Sequence, residues 1–345
     1  MVNFACAHVA GKYPIRTGSH DFLTYGVDVM GNLGFSKCKI YLSPNYSGSL
    51  DPTKKDYPNQ AWSSNNYTTL TQLAQDPAYV TVFSDVRFDT YYINTWTFAN
   101  GINNPWTTTQ TIEQLNNEYN EIKDLCVHLL NTYTNKKFII QNWEGDWAFI
   151  GDFNQNAAID TWRSKRMAAF MRSRKDAVRD ATRSVLSATS QVRLALEVNR
   201  ALDTFNERVH SDVIPYVDVD FISLSAYEAV NAFVGKSSQA LAEAAIKDSL
   251  EALVKNIRKY CKPGTPIYIG EFGFPQDEAS MSGFSVSGFL DAIKSKSNEL
   301  GLVCALWWNL FDNEEQSPGV ERGYNIYKRS PFVLSNAGIW FDNEV

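Results

Sequence analysis

Histidine and cysteine are scarce in this chain, and neither clusters, which removes whole classes of chemistry. Only 4 histidines occur in 345 residues. They stand at His8, His20, His128 and His210, too scattered for a multi-histidine metal site. The 5 cysteines are odd in number, widely spaced and without a CxxC pair, which argues against a disulfide framework. Cys6, Cys38 and Cys304 lie in apolar, strand-like runs and are expected as buried thiols. Positive charge is also short. Lys and Arg number 32 against 38 Asp and Glu, a formal charge of -6, so bulk attraction to nucleic acid or to an anionic membrane surface is not expected. The densest basic stretch, residues 163–183, is interleaved with Met, Ala and Asp and reads as the solvated side of a helix. No apolar run approaches the roughly 18 residues that span a bilayer. The first residues carry no basic n-region, apolar h-region or cleavage site. That leaves two expectations open, a cytosolic chain or a mature form whose signal has been removed. No metal and no organic cofactor is expected.

Aromatic residues are plentiful, at 13% with 9 Trp, 17 Tyr and 20 Phe. Many of them, including Trp62, Trp96, Trp106, Trp143, Trp147, Trp307 and Trp308, fall outside helical periodicity. Some serve packing; others suit a surface on which flat ligands such as sugar rings stack. Short β-branched or aromatic runs alternate with longer amphipathic ones. Strands are predicted at residues 3–8, 37–42, 80–84, 138–142, 193–198, 221–225, 267–269 and 303–307. Helices are predicted at residues 21–33, 67–75, 111–131, 160–187, 203–213, 238–260 and 287–299, with caps at Asp160 and Asp203 and a Thr/Gln cluster at Thr109. Strand and helix repeated about eight times implies a parallel sheet. The lack of a GxGxxG after the first strand favours a closed barrel over an open dinucleotide-binding sheet. The expected fold is a single α/β domain over residues 1–345, a (β/α)8 TIM barrel. Its long βα loops are expected at residues 43–66, 85–110 and 312–331.

Two glutamates end predicted strands. Glu144 follows Phe138–Ile139–Ile140–Gln141–Asn142–Trp143, and Glu271 follows Ile267–Tyr268–Ile269–Gly270. The carboxyl edge of barrel strands is where such enzymes do chemistry, and paired carboxylates can flank one glycosidic bond. Alternation along a strand predicts Phe138, Ile140, Asn142 and Glu144 on one side, and Ile267, Ile269 and Glu271 on another. On the sixth strand Ser223, Ser225 and Tyr227 share a side. Glu197 and Asn199 end the fifth strand, with Glu197 read as a rival acid/base, a substrate contact or a structural pairing partner. His8 ends the first strand, where it is expected either to hold a sugar hydroxyl or to be a satisfied core histidine. Asp85 and Asp146 are further rim candidates.

This pattern resembles the large clan of retaining glycoside hydrolases on (β/α)8 barrels, which includes cellulases, mannanases and β-galactosidases. The resemblance covers nearly the whole chain in layout without assigning a family. It implies that Glu144 is the acid/base and Glu271 the nucleophile. It implies further that Tyr227 bonds the nucleophile and that Trp307 or Trp308 forms a sugar platform. Two positions depart from the clan's pattern. Trp143 stands directly before Glu144 where the clan has Asn, leaving Asn142 two back. Lys39 on strand two is the best match for an inward Arg, and it brings charge without a bidentate fork. The expected activity is retaining, endo-acting hydrolysis of a β-linked oligo- or polysaccharide. The alternatives are a barrel that binds carbohydrate without turning it over, and a barrel enzyme with other chemistry on a phosphorylated metabolite.

Overall fold

Eight parallel strands close into a barrel in sequence order. In the computed structural model they are β1 (Asn3–Ala7), β2 (Lys37–Leu42), β3 (Thr90–Thr95), β4 (Lys137–Gln141), β5 (Gln191–Val198), β6 (Phe221–Ser225), β7 (Ile267–Phe272) and β8 (Cys304–Trp307). The ring closes where β1 pairs β8, Ala5 opposite Leu306 and Cys6 opposite Trp307. The structure describes residues 1–9, 21–43, 67–100, 105–151, 162–202, 207–313, 315–317, 320–328 and 333–344. No described helix is long and apolar enough to cross a membrane. All five cysteines are free, with Cys6, Cys38, Cys126 and Cys304 buried.

Helices lie between the strands: α1 (Phe22–Asn32), α2 (Leu70–Ala74), α3 (Pro77–Ser84), α4 (Ile112–Thr132), α5 (Gly145–Ile150), α6 (Arg163–Ser184), α7 (Tyr227–Val230), α8 (Gln239–Arg258) and α9 (Val286–Glu299), with α10 (Asn336–Glu344) last. Their starts are chemically marked. The Asp21 side chain accepts the Thr24 N–H at the head of α1. Thr111 and Gln114 form a reciprocal capping box at the head of α4, two residues beyond the Thr109 expected from sequence. The caps expected at Asp160 and Asp203 lie outside the described residues.

One strand was expected in the wrong place. Residues 80–84 are the end of α3, whose start is set by an Asp76 cap and Pro77 in the first turn. The β-branched run Val80–Thr81–Val82 reads as a strand locally, but the upstream cap and proline start a helix that buries Tyr79, Val82 and Phe83. The third strand is Thr90–Thr95, inside the stretch expected to be a loop. Asp85 consequently sits at the far end of α3, bonded to Arg87 at 2.6 Å, and not on the rim. The helix expected at residues 203–213 is reduced, in its described part, to one wide turn at Val209–Val213. The basic helix α6 is also not solvated throughout. Arg174 is buried, with its Nε donating to Glu118 at 2.6 Å and one terminal nitrogen to the Thr95 carbonyl at 2.9 Å.

Inside the barrel, Ala5, Tyr92, Ile139, Ala195, Tyr268, Cys304 and Leu306 form a small core of their own. A far larger shell packs between strands and helices. Phe138 belongs to that outer shell, stacked on Tyr91 and edge-on to Phe83. The inward residues of β4 are therefore Ile139 and Gln141, the reverse of the predicted side. The same reversal holds at β7, where Tyr268 is inside and Ile267 and Ile269 are outside. Two residues further along the strands, the interior turns polar: Asn94 follows Tyr92, Gln141 follows Ile139, and Glu197 follows Ala195. Lys39 and Ser223 complete this layer. All five side chains are fully buried.

Candidate active site

The polar layer is a floor of charge and hydrogen bonds below the barrel mouth. Lys39 from β2 lies between two carboxylates, 2.6 Å from Glu271 Oε1 and 3.0 Å from Glu197 Oε2, and it also donates to the Gly270 carbonyl at 3.2 Å. Glu197 Oε2 further accepts the Ser223 hydroxyl at 2.6 Å and the Gln141 amide at 3.1 Å. Gln141 is itself fixed, donating to Asn94 at 2.7 Å and accepting the Tyr268 hydroxyl at 2.5 Å. These contacts pair the buried polar atoms of the layer, except for the Asn94 Nδ2, which is buried without a hydrogen-bond partner.

Glu271 reaches this floor by breaking the alternation of its strand. Ile267 and Ile269 face outward, so a regular strand would send Glu271 outward too. The pairing register slips instead, between Leu224 and Ser225 on β6 and between Ile269 and Phe272 against β8. Such an irregularity re-aims a side chain. Gly270 makes the turn possible. A Cβ there would stand 1.9 Å from Ser223 Oγ and 2.5 Å from Glu197 Oε2, so no larger residue fits beside the buried carboxylate. Gly270→Ala is expected to cost about 1–3 kcal/mol, the usual penalty for overpacking a filled interior. Thermal or urea unfolding measures it.

Glu144 arrives by a different break. It follows β4 with φ 29 and ψ 71, a left-handed conformation that strains a residue with a side chain by about 1–3 kcal/mol. Its N–H donates to Glu197 Oε1 at 2.8 Å, and its carboxylate accepts the Ser225 hydroxyl at 3.0 Å. The next residue must be glycine, since a Cβ on Gly145 would meet the Glu197 carbonyl oxygen at 2.0 Å.

Glu144 and Glu271 line one cavity of about 520 Å³ at the carboxyl ends of the strands, with Trp143, Trp147, Tyr227, Trp308 and Tyr324 on its walls. Asn199, Arg200, Ser225, Glu228, Asn231 and Arg322 also contribute. Burial pushes the Glu271 carboxyl well above its usual range; Lys39 opposes this, and the charges of Glu197 and Glu144 add to the rise. Burial works against the Lys39 charge, but Glu197 and Glu271 outweigh it and hold its pKa above the ordinary lysine value. The cluster thus keeps its cation while two or three carboxylates compete for it.

Other residues marked in the sequence fall elsewhere. The Asn142 side chain bonds the β5 backbone, accepting the Glu197 N–H at 3.0 Å and donating toward the Glu197 carbonyl at 3.4 Å. Asp146 is buried and accepts the N–H groups of Asn199, Arg200 and Val209. It ties the β4 and β5 loops together. Trp307 is fully buried and packs on Phe272, Phe274 and Phe341, whereas Trp308 faces the cavity. His8 turns away from the mouth toward α1, its Nε2 at 2.7 Å from the Phe22 carbonyl. Burial lowers its pKa to about 4, against the pull of that carbonyl. Glu197 and Lys39 do not line the cavity at all. Sequence reasoning missed Arg200, Glu228, Asn231, Arg322 and Tyr324, which stand beyond the barrel strands, Glu228 on the short helix α7 and Asn231 just after it. Arg322 pairs with Glu278 at 2.6 Å and lies over the Tyr324 ring at 5.2 Å. Asp312 holds that loop by accepting the N–H groups of Gly323 and Tyr324.

No family model and no curated protein matches this chain. Solved structures do match. GH5_18 from Streptomyces cattleya, a variant in complex with Manb1-4GlcNAc, aligns over 100% of this chain and 80% of its own, at 13% identity and TM-score 0.64. The exo-beta-1,4-mannosidase Op5Man5 from Opitutaceae bacterium strain TAV5 aligns over 99% and 59%, at 14% identity and TM-score 0.59. A family 5 xyloglucanase from Paenibacillus pabuli aligns over 99% and 97%, at 12% identity and TM-score 0.57. At such identities the likeness is one of fold. The fold shared with these glycoside hydrolases is the closed eight-stranded parallel barrel.

Proposed function

We propose that this chain is a glycoside hydrolase that cleaves a β-linked oligo- or polysaccharide with retention. The observation that carries the reading is the convergence of Glu144 and Glu271 on one aromatic-walled cavity at the barrel mouth. The names of the solved structures with this fold, a mannosidase and a xyloglucanase among them, point the same way. Glu271 is the nucleophile: its ionised carboxylate attacks the anomeric carbon as Glu144 protonates the departing glycosidic oxygen. The C–O bond breaks and a glycosyl ester of Glu271 forms. Glu144, now ionised, takes a proton from water, and that water displaces Glu271 from the anomeric carbon. Trp308, Trp143 and Trp147 supply ring faces for sugar C–H surfaces. Tyr227 stands at the mouth beside Tyr324, edge-on at 6.1 Å between ring centres.

One competing reading is a barrel that binds carbohydrate without cleaving it, to be weighed because the Asn142 side chain is committed to the β5 backbone. The 2-hydroxyl contact that the clan resemblance implies for an asparagine falls to another group or is absent. One experiment separates the two. Activated 2-fluoro glycosides of several sugars are incubated with the protein, and the labelled peptide is mapped. Labelling at Glu271 by at least one sugar is the expected result, and the accepting sugar identifies the substrate class. Binding of glycans with neither labelling nor turnover across the panel decides for the competing reading.

A further inference from the structure

We propose that Glu197 is a positioning residue for both candidate catalytic carboxylates, holding the Glu144 backbone with one oxygen and the Lys39 ammonium against Glu271 with the other. The inference rests on the reading of Glu144 as acid/base and Glu271 as nucleophile, and it assigns Glu197 a role other than contact with substrate. Glu197 is fully buried below the cavity and forms none of its lining. It therefore acts through its neighbours.

Four groups converge on it, and each is a donor: Lys39, Gln141 and Ser223 at Oε2, and the Glu144 N–H at Oε1. A carboxylate offers lone pairs on both oxygens to such a set, whereas a glutamine would turn N–H groups toward Lys39 or toward Glu144. Its two oxygens thus link two places where the chain departs from regular backbone. One is the left-handed Glu144, whose strain persists only if surrounding contacts over-determine it. The other is the slipped end of β7, where Gly270 lacks a side chain because Glu197 and Ser223 fill that space. Lys39 is shared, so the position of Glu197 also sets the position of the cation that faces Glu271.

The charged and titratable groups around this centre come from three strands and one loop. They are Lys39 from β2, Glu197 from β5, Glu271 and Tyr268 from β7, and Glu144 after β4; Gln141 and Ser223 are neutral. Tyr268 donates to Gln141, so Lys39 is the one cation in this set. A negative charge on Glu197 raises the Glu271 pKa. Removing it must therefore lower that pKa, and the acid limb of kcat/KM should move to lower pH.

The test is Glu197→Gln, with Glu197→Asp beside it to keep the charge. For the glutamine variant the expected result is an acid limb displaced downward by about one unit or more. Its kcat at the optimum should fall about tenfold to 100-fold with KM within about threefold, the loss that misplacement of reacting groups brings. Glu197→Asp should keep the acid limb near its wild-type position while kcat still falls, because the shorter side chain loses its reach to the Glu144 N–H. An unmoved limb in Glu197→Gln, or a KM change as large as the kcat change, overturns the proposal. Should Glu197→Gln not fold, the aspartate variant decides: a KM rise that accounts for the lost kcat/KM overturns it. The Glu271 carboxyl is also followed by carbon-13 NMR in glutamate-labelled protein, with Glu271→Gln to assign the resonance. If its midpoint falls in Glu197→Gln while no glycoside is turned over by wild type, the positioning role stands and the hydrolase reading fails. If glycosides are turned over and the midpoint does not fall, the positioning role fails alone.

Discussion

Glu271→Gln is expected to lower kcat by about 10⁴- to 10⁶-fold, the range seen when a group at the centre of a covalent hydrolytic mechanism is removed. The amide matches the carboxylate in shape and still accepts from Lys39 through its oxygen, so binding of glycans should persist. Without an ionised oxygen, however, no glycosyl ester can form. Stability should respond in the opposite direction to activity. Burial raises the wild-type Glu271 pKa, so the folded state binds this proton more tightly than the unfolded chain. A raised carboxyl contributes its full stability below the unfolded value, about 4.3, and that contribution is lost as pH rises through the folded value. The glutamine does not titrate. The variant should therefore gain on the wild type between acid and neutral pH, as read by thermal unfolding at pH 5 and pH 8. Turnover above a few per cent of wild type would remove Glu271 from the nucleophile role.

Much of this site is legible in the sequence because it lies at the ends of strands. Glu144 and Glu271 stand out as carboxylates closing apolar runs. Lys39 stands out as a charge inside the apolar run Cys38–Lys39–Ile40. The side each faces is not legible. Period-two alternation puts Glu271 with Ile267 and Ile269, and those two pack outward. A register slip at β7 and a left-handed residue after β4 turn both glutamates inward. Nothing local announces either break except the glycines beside them, Gly270 and Gly145, whose necessity comes from Ser223 and Glu197 far away in sequence. The third strand shows the converse failure. Residues 80–84 have strand-like composition, but a cap and a proline several residues upstream decide the outcome. Arg322 and Tyr324 escape because no barrel strand end presents them. The β8 loop brings them in, held by Asp312 and by the pair with Glu278.

Lys39→Met should be the most destabilising single change in the site. It removes the ammonium that faces both Glu197 and Glu271 and leaves two buried carboxylates without a cation. Breaking a buried pair from one side costs about 3–5 kcal/mol, and here one cation serves two anions at 3.0 and 2.6 Å. The loss should depend on pH with a definite sign. Without Lys39 the attraction that opposes the rise of the Glu271 pKa is gone, so its carboxyl rises further and protonates in the folded state at a higher pH. The folded variant then binds more protons than the unfolded chain above about pH 4.3, and its stability falls as pH increases. Wild type should not show this fall to the same degree, because the raised Lys39 value keeps the cation in place across the neutral range. Urea unfolding at pH 5 and pH 8 measures both slopes. The double variant Lys39→Met/Glu271→Gln removes one of the stranded charges and should recover part of the lost stability, a non-additive result expected of groups in direct contact. Strict additivity of the two changes would mean that the 2.6 Å contact contributes nothing, and with it would go the argument that Lys39 keeps Glu271 fit to act as an anion.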